Sequence, residues 1–192
     1  MLTYEDILSG SVPAVDPTRI HMDTEVNDWN NPLVARMRGY AYHGNTPFDV
    51  PFISHIEGNL WQGGCERGLI LPSFFENVVS LYVWEKYAFE DPLEPPAVTE
   101  VVMYDDSSGP DHANVLELAT LVQSACKSGP TLVHCQAGLN RSSLIAGAAL
   151  MLGLEEGPRT AEEAISLLRE KRSPACLCNK TFESFLLNDF RP

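Results

Sequence analysis

The spacing of apolar positions changes from irregular to regular near residue 51. Before that point Pro13, Pro17, Pro32 and Pro47 interrupt short polar and aromatic pieces, and no period survives. Asn30, Asn31 and Pro32 form a turn signal that predicts a short helix over Leu33–Arg38. Trp29, Tyr40 and Tyr42 have little use in a solvated tail, so the segment is expected to pack on the core as an extension.

After residue 51 strand-like and helix-like patterns alternate. Ile53–Trp61, closing on Q-G-G, predicts a strand or hairpin, and Asn77–Val83 and Val98–Tyr104 predict two strands. Thr131–His134 reads as a short buried strand. Asp111 can cap a helix that carries Leu116, Leu118, Leu121 and Val122 to Lys127, where Gly129 and Pro130 stop it. Ser142–Leu154 is an apolar helix with Ala and Gly for close packing. Thr160 and Glu163 match a capping box ahead of Ala164, Ile165, Leu167 and Leu168, and Asn179 can cap a last helix bearing Phe182, Phe185 and Leu186.

Such alternation predicts an α/β fold whose central, largely parallel sheet is flanked by helices, with ligands beyond the C-terminal ends of strands. At 192 residues one domain is expected, an extension over 1–50 and a core over 51–192.

Composition narrows the function classes. The N-terminus, M-L-T-Y-E-D-I-L, lacks the basic and apolar regions of a signal peptide, and the longest apolar run, Leu144–Leu154, is too short to cross a bilayer. A cytoplasmic protein without membrane association is therefore expected. A net charge of −13, from 13 basic and 26 acidic residues, repels nucleic acid at long range. Cys65, Cys126, Cys135, Cys176 and Cys178 make an odd set without disulfide-like spacing, which predicts reduced thiols. Cys176 and Cys178 stand too close for the usual zinc pair, so neither a metal nor another cofactor is expected.

The chemistry concentrates in V-H-C-Q-A-G-L-N-R-S-S, Val133–Ser143. A strand ends at His134, a tight loop follows, and a helix begins near Arg141. Backbone N–H groups of such a loop converge on one point, and the helix N-terminus adds unpaired donors and the positive end of its dipole. Gly138 allows the tight curve. The same setting favours a thiolate at Cys135, and Arg141 on the rim can grip two oxygens of a tetrahedral phosphoryl group.

H-C-Q-A-G-L-N-R-S resembles the H-C-x5-R-[ST] signature of cysteine-dependent protein tyrosine phosphatases, especially the small dual-specificity branch. L-W-Q-G-G and V-V-S-L-Y resemble the family's early strands, V-V-M-Y-D-D lies where it places a general acid, and R-S-P-A-C-L-C-N-K-T-F resembles its late Arg/Pro, Asn and Phe segment. The resemblance covers about residues 52–190 and leaves the first fifty without a counterpart.

It implies a protein tyrosine phosphatase-like fold and a reaction through a phosphocysteine intermediate, with Cys135 as nucleophile and Arg141 holding the phosphoryl oxygens. Ser142 would assist departure of the thiolate, and Asp106 would protonate the leaving oxygen, with Asp105 the runner-up. Gln136, Ala137, Gly138, Leu139 and Asn140 would line the phosphate, while His134 and Asn179 support the loop.

A phosphorylated protein or small phosphomonoester is the expected partner, and the neutral loop interior disfavours highly charged lipid headgroups. Tyr82, Trp84, Tyr87 and Phe89 would wall an aryl phosphate or simply fill the core. Three alternatives stay open: a non-catalytic phosphate-binding domain, an RNA 5′-triphosphatase-like enzyme, and a rhodanese-like sulfurtransferase.

Overall fold

In a computed structural model, residues 28–41, 43, 45–105 and 108–192 are described. The central sheet has five strands in the order β3 (Ile53–Glu57), β4 (Leu60–Gly63), β9 (Thr131–His134), β6 (Asn77–Ser80) and β8 (Ala97–Glu100). Only the hairpin pair β3 and β4 is antiparallel; β4 with β9, β9 with β6, and β6 with β8 all run parallel. The expected largely parallel α/β sheet is therefore present. A second pair of strands, β1 (Arg36–Tyr40) and β2 (Pro47–Pro51), forms an antiparallel hairpin, and β5 (Ile70–Leu71) pairs with β7 (Ala88–Phe89).

Period-two alternation sorts the sheet residues between two apolar layers. Val79 and Val133 face a layer built with the helices α1 (His112–Ser128), α2 (Arg141–Leu152) and α3 (Ala161–Lys171). Their neighbours Val78 and Leu132 face the opposite layer with Trp61, Phe75 and Tyr87. The last helix, α4 (Lys180–Ser184), runs into a wider turn over Phe185–Asp189 and buries Phe182, Leu186 and Phe190 on the helix side. Each such fully buried side chain contributes about 1.5–3 kcal/mol.

Helix ends follow the local chemistry. Asp111 accepts from Asn114 N–H at 2.9 Å, Thr160 and Glu163 close a reciprocal capping box, and Asn179 accepts from Thr181 N–H. Helix α2 is buried along nearly its whole length, which is why its apolar residues show no stripe.

Two expectations need correction. Leu33–Arg38 is not a helix: a turn over Asn31–Ala35 leads straight into β1, whose Met37 pairs with Val50. Edge pairing with β2 satisfies the backbone there, so tertiary context overrides the local helix signal. The strand foreseen over Val98–Tyr104 stops at Glu100: Val101 N–H still donates to the Ser80 carbonyl, and the Met103 carbonyl then turns to accept from Arg141. Tyr42, once counted with Trp29 and Tyr40, lies outside the described residues. Among the described residues no helix is long and apolar enough to cross a membrane.

Candidate active site

Parallel register brings the site together. Gly63 on β4 and Ser80 on β6 both stand level with His134, the last residue of β9. The chain beyond His134 is held from both sides, by Cys135 N–H to the Gly63 carbonyl at 3.2 Å and by Leu81 N–H to the His134 carbonyl at 2.8 Å. One residue on, Cys65 N–H donates to the Gln136 carbonyl at 2.9 Å. The Q-G-G stretch is thereby explained: a Cβ at Gly64 would stand 2.7 Å from the Gln136 oxygen, so only glycine lets the two backbones approach.

Within the loop, Cys135 Sγ accepts from Gly138 N–H at 3.2 Å and lies 3.4 Å from Ser142 Oγ. Gly138 turns the backbone inward at φ +66°, a left-handed value. The sulfur therefore sits inside the bend that leads to α2, between the Gly138 N–H and the Ser142 hydroxyl. The other four cysteines are also buried, and burial pushes Cys65 up to about 12 and Cys126 to about 11. Burial raises Cys176 and Cys178 as well, so all four are held as thiols.

Arg141 is buried, with its guanidinium carbon 5.2 Å above the Tyr82 ring. Its Nη1 donates to the Met103 carbonyl at 3.2 Å, while its buried Nε has no protein partner. An unpartnered buried donor on a cation, in the same loop, is the arrangement an oxyanion completes. Ser142 is fully buried, and Gln62 Nε2 reaches it at 3.3 Å.

The remaining loop residues divide between framework and rim. Gln136 is exposed, and Leu139 is buried with its carbonyl accepting from Leu177 N–H at 2.7 Å. Ala137 offers its carbonyl to Arg172. Asn140, expected to line the phosphate, turns outward: its Nδ2 donates to Asp105 at 2.9 Å, and its Oδ1 accepts from Asn179 N–H at 2.9 Å. Asn179 also donates to Asp105, at 2.8 Å, so the loop and the start of α4 share one carboxylate. Asp106 lies outside the described residues.

His134 is buried against the edge of Tyr87, and burial lowers its imidazole to about 4, leaving it neutral. Tyr87 donates its hydroxyl to the Gly64 carbonyl and belongs to the core, whereas Trp84 is exposed beside Tyr82. Of the four aromatic residues considered as a wall, Tyr82 lies under Arg141, and Trp84 packs against Tyr82.

Two supporting residues escaped the sequence reading. Gln62 donates from Nε2 to the Gly138 carbonyl at 2.9 Å and to Ser143 Oγ at 2.6 Å, tying β4 to the loop and to α2. Arg172 is buried behind the loop and donates to the carbonyls of Gly138, Ala137 and Pro51. The signals were a polar residue at the end of a buried strand, and an arginine directly before Ser-Pro. Among the described residues no group of three His, Cys, Asp or Glu side chains converges as a metal-binding set.

Comparison with known proteins agrees with this geometry. Residues 101–191 match the family described as dual specificity phosphatase, catalytic domain. Human DUSP28 superposes with a TM-score of 0.56 at 19% identity, over 71% of this chain and 90% of that one. OH1 from the Orf virus, described as a tyrosine phosphatase with triple substrate specificity, gives 0.51 at 21% identity, over 72% and 86%. The human tyrosine phosphatase-like serine/threonine/tyrosine-interacting protein gives 0.52 at 15% identity, over 70% and 92%. A search of curated protein sequences finds no significant match.

Proposed function

We propose that this chain, whose fold and residues 101–191 resemble those of dual specificity phosphatases, hydrolyses phosphate monoesters, phosphotyrosine in proteins foremost. The observation that carries the reading is the joint presence of Cys135 Sγ, which accepts the Gly138 N–H, and of a buried Arg141 whose Nε has no protein partner, at the two ends of one loop. Cys135 attacks phosphorus, and the Sγ–P bond forms as the P–O bond to the leaving group breaks. Asp106 gives its proton to the departing oxygen, because Asp105, with both oxygens engaged by Asn140 and Asn179, is suited to anchoring the acid loop. Water then gives a proton to the ionised Asp106 and attacks phosphorus; as the new P–O bond forms the Sγ–P bond breaks, and the Ser142 hydroxyl 3.4 Å from the sulfur supports the thiolate as it leaves. Arg141 binds most tightly as charge spreads over the equatorial oxygens of each transition state.

Tyr82 favours an aromatic leaving group, since its ring lies against the guanidinium that would hold the phosphate and carries Trp84 beside it. The acidic net charge of −13 favours phosphoprotein over RNA as substrate.

The test is hydrolysis of para-nitrophenyl phosphate and of matched phosphotyrosine and phosphothreonine peptides, in EDTA. Cys135→Ser should abolish turnover while the protein still binds vanadate. Turnover that survives the substitution would overturn the assignment. A native chain that binds vanadate yet turns over none of these substrates would be a phosphate-binding domain.

A further inference from the structure

Resting on that proposed reaction, we infer that His43, on the hairpin that precedes the phosphatase-like core, is a positioning residue that registers the acid loop for protonation of the leaving group. The hairpin lies outside residues 101–191, yet it touches the site at two places. At its base, Arg172 donates to the Pro51 carbonyl at 3.2 Å and faces Met37 Sδ at 3.7 Å, so β1 and β2 grip the residue that braces the phosphate loop. At its tip, Ala41 is buried in the helix-side core, and its N–H donates to the Thr46 carbonyl at 2.8 Å to close the turn. Asn45 takes the left-handed φ of +49° that this turn requires.

From that fixed tip the His43 Nε2 comes to 3.3 Å from Asp105 Oδ1, each side chain being only 24% exposed. Asp105 thereby joins three elements: the phosphate loop through Asn140, the start of α4 through Asn179, and the hairpin through His43. Both asparagines are themselves linked, since Asn179 N–H donates to Asn140 Oδ1. His43 thus ties Asp105 to the β1–β2 hairpin, which Arg172 and the core hold in place. Proton transfer to a leaving oxygen demands placement within hydrogen-bond reach, and a displacement of about 1 Å costs on the order of a hundredfold.

Leaving-group dependence separates positioning from general support. Phenyl phosphate needs its leaving oxygen protonated, whereas dinitrophenyl phosphate departs readily as an anion. In the full chain, His43→Ala should slow kcat/KM for phenyl phosphate by about tenfold or more, and for dinitrophenyl phosphate by less than about threefold. His43→Gln, which keeps an N–H at similar reach, should restore most of the phenyl phosphate rate, and vanadate affinity should stay at the native value in both variants. Equal losses on the two esters, no loss on either, or a parallel fall in vanadate affinity would overturn the role. If the native chain turns over neither ester in a Cys135-dependent manner, the proposed reaction fails and this role with it. If the native chain is active and the ratio of the two esters does not change in His43→Ala, only the role fails.

Discussion

Arg172 donates its Nε–H to the carbonyl of Gly138 at 2.5 Å, bracing the sharpest bend of the phosphate loop from behind with a buried guanidinium. Its other protein partners, the carbonyls of Ala137, Pro51 and Gln62 and the hydroxyl of Ser54, are all neutral. Burial lowers its pKa from the ordinary arginine value, with no carboxylate among those partners to oppose the effect. The fork geometry of the guanidinium lets one side chain serve five acceptors, which a lysine cannot do. Arg172→Lys should lose about 2–4 kcal/mol of stability in urea titrations, and more than about tenfold in kcat/KM, because several buried carbonyls lose their donors. Native stability in the variant would show that the loop holds its shape unaided.

Gly138→Ala tests the bend itself. An added Cβ would sit 2.5 Å from both Arg172 Nη2 and the Gly63 oxygen, on a backbone already in the left-handed region. The conformational cost alone is about 1–2 kcal/mol, and relief of the overlap must move β4 or Arg172. Vanadate affinity should fall at least about tenfold, as read by titration against para-nitrophenyl phosphate hydrolysis. Wild-type affinity would mean that the loop tolerates a side chain here.

Asp105 and Asp106 should separate cleanly when each is changed to Asn. Asp106→Asn removes the proposed proton donor and should slow phenyl phosphate hydrolysis by about two to four decades with little change in melting temperature. Asp105→Asn instead presents an amide group to the donors of Asn140 and Asn179, and should lower stability by about 1–3 kcal/mol. The assignment is reversed if the position-105 variant shows the larger, leaving-group-dependent rate loss.

His134 sets an acid limit on stability. Its folded pKa of about 4 lies below the ordinary value of 6.5, so between these two the unfolded chain binds a proton that the folded chain does not. Stability from this group is therefore complete above pH 6.5 and falls as pH drops towards 4, by about 3 kcal/mol in all. Urea midpoints measured from pH 7 to 4.5 should decline in the native chain and flatten in His134→Gln. An undiminished decline in the variant would assign the acid sensitivity elsewhere.

The elements with local signals were legible in the sequence. Thr131–His134 and the capped starts at Asp111, Thr160 and Asn179 are fixed by neighbouring residues, and the structure places them where the pattern does. The loop from Cys135 to Arg141 was legible for the same reason, since cysteine, glycine and helix start all lie within seven residues. What the pattern could not convey depends on pairing at long range. Leu33–Arg38 has a helix-like opening and becomes a strand only because Pro47–Pro51 returns beside it. Gln62 and Arg172 reach Gly138 from 76 and 34 residues away, and neither distance leaves a trace in local composition. Asn140 looked like a phosphate neighbour by position, but its side chain answers to Asp105 and Asn179, which only the fold brings near.

Those distances have a kinetic consequence. The curvature of the phosphate loop depends on Gln62, contributed early in the chain, and on Arg172, contributed late. Neither donor can reach Gly138 until β4 has paired with β9 and the segment after α3 has docked behind the loop. Until then the bend at Gly138 lacks the two side chains that brace its carbonyl. The shape of the loop is thus a property of the assembled fold and not of the short segment that carries it.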